Sequence, residues 1–188
     1  EPVQRMVVSA MQSLKVAQPF TTDSRDVNAA LDGMKRISGG RVERDNARRD
    51  LVDRIQDVAN QDYGSGDRNT RDGSRVGIEQ QIMAFAEEEA NGLSYTLSAL
   101  HQVIAMMSGL DGRRAIVYVS SGLPMTPGIG LMHQYATTFH DTAILSRRSR
   151  VDRMSAYRSL STAANAQDVR LYTIDASGLN TLEGFSAE

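Results

Sequence analysis

The sequence predicts an α/β fold in which helices cover a mostly parallel sheet, and two apolar segments carry this prediction. Residues 114–120 (RAIVYVS) and 169–174 (VRLYTI) are rich in β-branched and aromatic residues, and each runs towards a glycine turn, at Gly122 and Gly178. The first segment has apolar residues on both faces, as a central strand between two layers of helices would. The sequence pattern from about residue 131 to residue 166 predicts one or two helices. A helical connection of this kind predicts a right-handed crossover between two parallel strands.

The first part of the chain predicts two short strands and a helix. Residues 6–10 and 14–20 have the β-branched and apolar content of strands. Residues 21–24 (TTDS) offer N-cap side chains, and apolar residues then recur at helical spacing. We therefore expect an amphipathic helix over residues 24–36, which the following Ser-Gly-Gly sequence ends.

The middle of the chain alternates helical and loop patterns. Over residues 41–59, a stripe of apolar residues runs among arginines and aspartates. Because the charges are mixed, we favour a solvated helix with many ion pairs over a basic binding face. Residues 61–74 are rich in glycine and polar residues, which predicts an exposed loop. The helical pattern returns at Val76 and continues to Met107.

Composition narrows the class of protein. The chain has 188 residues, of which 40% are hydrophobic and 23% charged, as in one soluble domain with a sizeable core. The formal net charge of -2 argues against nucleic acid as the main partner, because phosphate binding needs a concentrated basic face. The absence of cysteine excludes disulfides, thiolate metal sites and cysteine nucleophiles. No apolar run approaches the roughly 20 residues of a membrane helix, so we expect no direct membrane insertion.

Several stretches in a particular order carry a family resemblance: 18–23 (QPFTTD), 27–31 (VNAAL), 112–124 (GRRAIVYVSSGLP) and 171–179 (LYTIDASGL). Together they resemble a von Willebrand factor type A domain, and more closely the type A-related proteins of Acidobacteria, which are predicted to be secreted and have no known role. The resemblance implies a Rossmann-like fold, a doubly wound and mostly parallel sheet with helices on both faces. It also implies a secreted, periplasmic or cell-surface location.

Measured against that family, residues 1–188 form one partial domain, incomplete at both ends, with a helical insertion at about 37–92. The family's central first strand, which ends in an Asp-x-Ser-x-Ser loop, has no counterpart before Met6. Without a central strand, two rows of backbone donors and acceptors would be unpaired, each costing roughly 1–3 kcal/mol if buried. We therefore expect a longer polypeptide, or another segment that fills the gap. Direct pairing of the strands at 6–10 and 114–120 in a complete sheet would contradict this.

The resemblance also implies a metal-ion-dependent adhesion site, which this sequence matches only in part. The family holds Mg²⁺ with hydroxyl and carboxylate oxygens and leaves positions open for a partner's carboxylate. By position, Ser94 corresponds to the family's threonine, and Ser120 and Ser121 stand where Thr-Asp-Gly is expected. Three neutral hydroxyls would stabilise Mg²⁺ little more than the water molecules of its hydration shell do. We therefore expect a degenerate site at Ser94, Ser120 and Ser121, with no resident cofactor and Mg²⁺ as the candidate ion.

Other chemistry has less support in the sequence. Asp175 and Ser177 match the start of an Asp-x-Ser-x-Ser loop, but the motif is not completed, and a turn or helix cap is the simpler interpretation. His133 and His140 are too far apart along a helix for a close zinc pair. Ser120 lacks the Gly-x-Ser-x-Gly elbow of a hydrolase, and no glycine-rich phosphate loop follows a strand. The sequence therefore predicts no catalytic residues.

Three functions from different classes remain. The first is a noncatalytic protein-interaction or adhesion-type module, which binds through the loops at the carboxyl edge of its sheet. The alternative is a structural or self-assembling protein outside the cytoplasm, with contacts made by its long helices and the 37–92 insertion. The third, a hydrolase that uses Ser120 or Ser121 with a histidine, is the least favoured. We expect a protein partner or self-association, and no enzyme activity.

Overall fold

The computed structural model describes residues 3–10, 14–34, 41–64, 68–120 and 122–176. The strands in this part of the chain are β1 (Arg5–Ala10), β2 (Leu14–Thr21), β3 (Arg114–Ser120) and β4 (Val169–Asp175). The α-helices are α1 (Ser24–Met34), α2 (Arg41–Gly64), α3 (Arg68–Met106), α4 (Ile129–Phe139), α5 (Ala143–Ser146) and α6 (Met154–Ala166). A short 3-10 helix, Arg147–Arg150, lies between α5 and α6.

The strands form two separate two-stranded sheets. β1 and β2 pair as an antiparallel hairpin with an irregular register. β3 and β4 pair in parallel, from Arg114 opposite Val169 to Ser120 opposite Asp175. The parallel pairing of these two segments is therefore confirmed. In the part of the chain that the structure describes, no ladder joins β1 to β3.

The predicted doubly wound, mostly parallel sheet with helices on both faces is wrong. Of the described residues, 65% are helical, and their strands form two sheets of two strands each, one of them antiparallel. The physical reason is visible in β3, where half-buried and exposed side chains alternate instead of being buried on both faces. Val117 and Val119 are 61% and 58% exposed. Helices therefore cover one face of the β3–β4 pair, and the other face is open.

The predicted loop over residues 61–74 is also wrong where the structure describes it, and residues 65–67 lie outside the described residues. α2 continues to Gly64, and α3 begins at Arg68. Tertiary contacts hold the early turns of α3, because the Tyr135 hydroxyl donates to the carbonyl of Arg75 at 3.4 Å. The Arg75 guanidinium also lies 5.0 Å from the ring centroid of Phe139. These partners on α4 favour a helix where local composition favours a loop.

A first hydrophobic core joins α2, α4, α5 and the first part of α3. Ile55 of α2, Ile82 of α3, Met132 of α4 and Ile144 of α5 are all fully buried in it. Burying an aliphatic side chain of this size contributes roughly 1.5–3 kcal/mol. This core fixes the position of α4 relative to α3.

A second hydrophobic core joins the second part of α3 to α6 and both sheets. Leu97 and Ile104 of α3 pack with Leu160 of α6 and Val169 of β4. Partly buried side chains of the other strands complete this core: Met6, Val8, Leu14, Phe20, Ile116 and Tyr118. β1 and β3 therefore rest on the same helix without hydrogen-bonding to each other in a ladder.

Candidate functional site

Ser94, the predicted counterpart of the family's threonine, makes two hydrogen bonds within the fold. Its hydroxyl donates to the carbonyl of Ala90 at 2.8 Å, a common bond for a serine inside a helix. The same oxygen accepts a hydrogen bond from Nε of Arg153 at 3.0 Å. Another nitrogen of Arg153 donates to the carbonyls of Arg150 and Asp152. Ser94 therefore ties α3 to the turn before α6, a structural contact that the sequence did not predict.

Ser120 lies at the end of β3, and its polar atoms have local partners. Its hydroxyl oxygen accepts a hydrogen bond from the N–H of Gly122 at 3.2 Å. Its carbonyl accepts from the N–H of Ala176 at 2.7 Å, which extends the ladder with β4. Ser121 lies outside the described residues, as does Ser177. In the described part of the chain, no hydrogen bond brings Ser94 and Ser120 together.

Among the described residues, no cluster of carboxylates lies near these serines to complete a metal site. None of their His, Asp and Glu side chains form a group of three or more that could hold a metal ion. His133 is exposed on α4, and His140 ends that helix with a left-handed φ of 53°. The side chain of Asp175 is not among those described. Weak or absent Mg²⁺ binding at Ser94, Ser120 and Ser121 therefore stays a prediction.

A wide groove with a volume of about 3900 Å³ opens between β1 and β3. Residues 3–9 and 114–120 line it, together with parts of α2 and the start of α4. α3 contributes apolar side chains to the groove, among them Leu93, Leu100 and Val103. Ser120 lies at the groove, whereas Ser94 does not line it. The groove beside Ser120 is therefore bounded by strands and apolar side chains.

The strand β3 has a free edge on the side away from β4. The bond from Ala176 to the Ser120 carbonyl shows that Ser120 directs its backbone groups towards β4. Backbone direction alternates along a strand, so Ile116 and Tyr118 also face β4, whereas Val117 and Val119 face away. By this alternation, the ladder with β4 does not use the backbone groups of Val117 and Val119, and no turn or loop hydrogen bond among the described residues reaches them. Such an edge is a template for another strand.

The open side of the β3–β4 pair carries an apolar face, formed by Val117, Val119, Tyr172 and Ile174. Val117 lies opposite Tyr172 and Val119 lies opposite Ile174, so the four side chains adjoin on one side of the sheet. Tyr172 and Ile174 are each 52% exposed, similar to the two valines. The sequence marked these residues as core, because a buried strand and an exposed apolar strand have the same composition.

The carboxylate of Glu89 lies at the groove, where it interacts with a backbone N–H and with two guanidinium groups. Burial raises the pKa of Glu89 above its ordinary value of 4.5, against the opposing effects of the Gly128 N–H and the guanidinium groups of Arg44 and Arg48. The Gly128 N–H lies at the start of α4, where a carboxylate stabilises the helix terminus. Glu89 therefore has a structural role that links α3 to α4.

Comparisons of the chain with protein-family models, with curated proteins and with solved structures returned no match. The resemblance to von Willebrand factor type A domains therefore rests on the sequence motifs alone. None of the helices in the described ranges combines the length and the apolar character needed to cross a membrane.

Proposed function

We propose that this protein is a noncatalytic protein-interaction module that binds its partner through the apolar face of the β3–β4 pair. The observation that carries this proposal is the exposure of four adjoining apolar side chains, Val117, Val119, Tyr172 and Ile174. Contiguous apolar patches on a protein surface mark sites of interaction with other molecules. The tyrosine supports the same interpretation, since tyrosine is enriched where protein interfaces are most buried.

The chemistry near this surface favours binding over catalysis. A hydrolytic serine needs a base within hydrogen-bond reach. The described partner of the Ser120 hydroxyl is the backbone of Gly122. Among the described residues, no hydrogen bond joins His101, His133 or His140 to Ser120. The self-assembling alternative takes a changed form here: a second copy of the chain binds the same apolar face, whereas the sequence suggested contacts through the long helices and the 37–92 insertion.

Photo-crosslinking from the apolar face tests the proposal. A benzophenone amino acid replaces Tyr172 in one variant and Val76 in a control variant, and both are expressed in cells of the source organism. Val76 is matched because it is 49% exposed but lies on α3 away from the groove. We expect a discrete adduct from position 172 and none from position 76, with mass spectrometry identifying the partner.

The mass of the adduct, and whether it is lost when apolar surface is removed, decide between the proposed function and its alternatives. An adduct with twice the mass of the chain supports the self-assembling alternative. The double variant Val119→Thr, Ile174→Thr keeps β-branched side chains but removes apolar surface, so it should abolish the adduct from position 172. Equal labelling from positions 172 and 76, or none from either, would show the proposed function to be wrong.

A further inference from the structure

The residues around the start of α6 form a cluster of positive charge. Residues 146–158 contain five arginines and one acid, although the whole chain has a formal net charge of -2. Arg147 pairs with Glu79 at 3.1 Å. In the described part of the chain, the other four form no ion pair with an acid: Arg148, Arg150, Arg153 and Arg158. Because like charges repel, such a cluster destabilises the fold unless an anion neutralises it.

Two exposed methionines lie among these arginines. Met154 follows Arg153 directly, and Arg158 comes four residues later on the same face of α6. Met125 lies beside them because the N–H of Arg153 donates to its carbonyl at 3.0 Å. The Arg153 guanidinium in turn donates to the carbonyl of Arg150 at 3.3 Å. Met125 and Met154 are 54% and 37% exposed. We call these residues the basic patch: Met125, Arg148, Arg150, Arg153, Met154 and Arg158.

We infer that the basic patch binds the surface of a membrane that contains anionic phospholipids. Charge complementarity selects a negatively charged partner, and the planar guanidinium group of arginine can pair with a phosphate through two parallel hydrogen bonds. The exposed methionines enter the boundary between the headgroups and the acyl chains, as the apolar side chains of surface-bound proteins do. This mode of binding needs no membrane-spanning segment, and it uses residues other than those of the apolar face on β3 and β4.

The shape and composition of the basic patch favour a membrane over two other acidic partners. None of its six residues lines the groove between β1 and β3, so the patch offers an acidic peptide no part of that cleft. A membrane surface is broad and needs no cleft. A nucleic acid backbone would neutralise the arginines, but it has no apolar phase that could take up the side chains of Met125 and Met154.

Sedimentation with lipid vesicles tests the inference on the full chain. We expect binding to phosphatidylcholine vesicles that contain about 30% phosphatidylglycerol, and none to pure phosphatidylcholine vesicles. Since each arginine at an anionic surface contributes about fivefold, the double variant Arg150→Gln, Arg158→Gln should bind about 25-fold more weakly. The control variant Arg113→Gln, Arg170→Gln removes the same charge from exposed positions near the amino ends of β3 and β4. It should bind less than about threefold more weakly.

The absence of cysteine from the chain permits a second measurement that leaves every arginine in place. Met154→Cys carries an environment-sensitive fluorophore, and Val76→Cys carries the same fluorophore as a control. Val76 is 49% exposed and lies on α3. On anionic vesicles, the emission should shift to the blue from position 154 and stay unchanged from position 76. About 0.5 M salt should reverse the shift, because salt screens the attraction between exposed charges.

Three results would overturn the inference. The first is no binding to the anionic vesicles, and the second is equal weakening by the two double variants, which would mean that the charge of the whole molecule decides. The third is binding to a double-stranded DNA oligonucleotide or to polyglutamate that is tighter than binding to the vesicles and is unchanged by Met154→Gln. Such a result would identify a partner of another class. Crosslinking from position 172 tests the proposed function separately, because it concerns other residues.

Discussion

Gly128 determines how closely α4 can begin beside α3. It precedes α4 with a left-handed φ of 69°, and a Cβ at this position would lie 2.5 Å from Cβ of Ala86. Glycine is therefore required both by the backbone conformation and by the close approach of α3. This contact also places the Gly128 N–H where Glu89 can accept its hydrogen bond.

Replacement of Gly128 by alanine should destabilise the fold. Left-handed backbone strain and overpacking together predict a loss of roughly 2–4 kcal/mol in the free energy of unfolding. Urea denaturation followed by circular dichroism measures it. Gly92→Ala is the control, since Gly92 lies within α3 with no atom near the added Cβ, and it should gain about 0.5–1 kcal/mol. A Gly128→Ala variant as stable as the parent would contradict the close approach.

The raised pKa of Glu89 predicts how stability depends on pH. A carboxyl with a folded pKa above its ordinary 4.5 binds its proton more tightly in the folded state than in the unfolded state. Its contribution to stability is complete below the ordinary pKa and is lost as the pH rises through the raised value. Since Gln does not titrate, the stability of the parent minus that of Glu89→Gln should fall as the pH rises from below 4.5 through the raised pKa.

Urea denaturation of both proteins across this pH range measures that difference. Glu88→Gln removes one charge from an exposed position next to Glu89 and serves as the control. A difference between the parent and Glu89→Gln that rises with pH would contradict burial as the dominant influence on this carboxyl.

Two tyrosines provide a matched pair for the energetics of buried hydroxyls. The Tyr157 hydroxyl is buried and has no hydrogen-bond partner among the described residues, and burial raises the pKa of Tyr157 to about 12. Tyr157→Phe should therefore stabilise the fold by about 1 kcal/mol. The Tyr135 hydroxyl donates to Arg75, so Tyr135→Phe should cost about 0.5–1.5 kcal/mol. Thermal denaturation measures both changes in stability. Equal effects of the two substitutions would contradict the difference in hydrogen bonding between the two hydroxyls.

At the scale of elements, hydrophobic periodicity predicted the positions of the strands and most helices in the sequence. It did not predict which other elements pack against them. The strands predicted at 6–10, 14–20, 114–120 and 169–174 agree with β1 to β4 within about a residue at each end. Apolar residues on both faces of β3 predicted two covering layers, yet one face is open. The local sequence does not encode how many strands or helices lie beside a strand, which depends on distant segments.

For the candidate site, too, the local sequence did not encode contacts with distant segments. The resemblance matched Ser94 to a threonine of the family's metal site, whereas the helical pattern over residues 76–107 predicted the helix α3 in which Ser94 lies. Its partner Arg153 is 59 residues away in sequence. The pairing with Arg153 had no local signal, because the position of α6 against α3 depends on the second core.

Proline substitutions along β3 should reveal which backbone groups pair with β4. Ile116 faces β4 and Val117 faces the free edge, by the alternation that the Ser120 hydrogen bond establishes. Ile116→Pro should therefore break the ladder and leave a partner on β4 unsatisfied, at a cost of at least about 1–3 kcal/mol. Val117→Pro should cost less. Thermal denaturation measures both, and a greater loss for Val117→Pro would reverse the assignment of the two edges.

At the scale of the whole molecule, α3 connects two hydrophobic cores that share no buried residue. Its first part packs with α2, α4 and α5, and its second part packs with α6 and the sheets. α3 has 39 residues, so it spans roughly 58 Å at a rise of 1.5 Å per residue. The apolar face belongs to the strands of the second core, whereas residues of both cores line the groove, among them Leu131 of the first core and Leu100 of the second.

This arrangement predicts that each core loosens separately. Ile82 is buried in the first core and Ile104 in the second, and Ile→Ala at either position should cost roughly 2–5 kcal/mol. In hydrogen-exchange mass spectrometry, Ile82→Ala should accelerate exchange in α2 and α4 more than in β3 and β4. Ile104→Ala should show the reverse, because the packing that it removes supports the sheets. The same acceleration in both regions for both variants would instead mean that α3 couples the two cores into one cooperative unit.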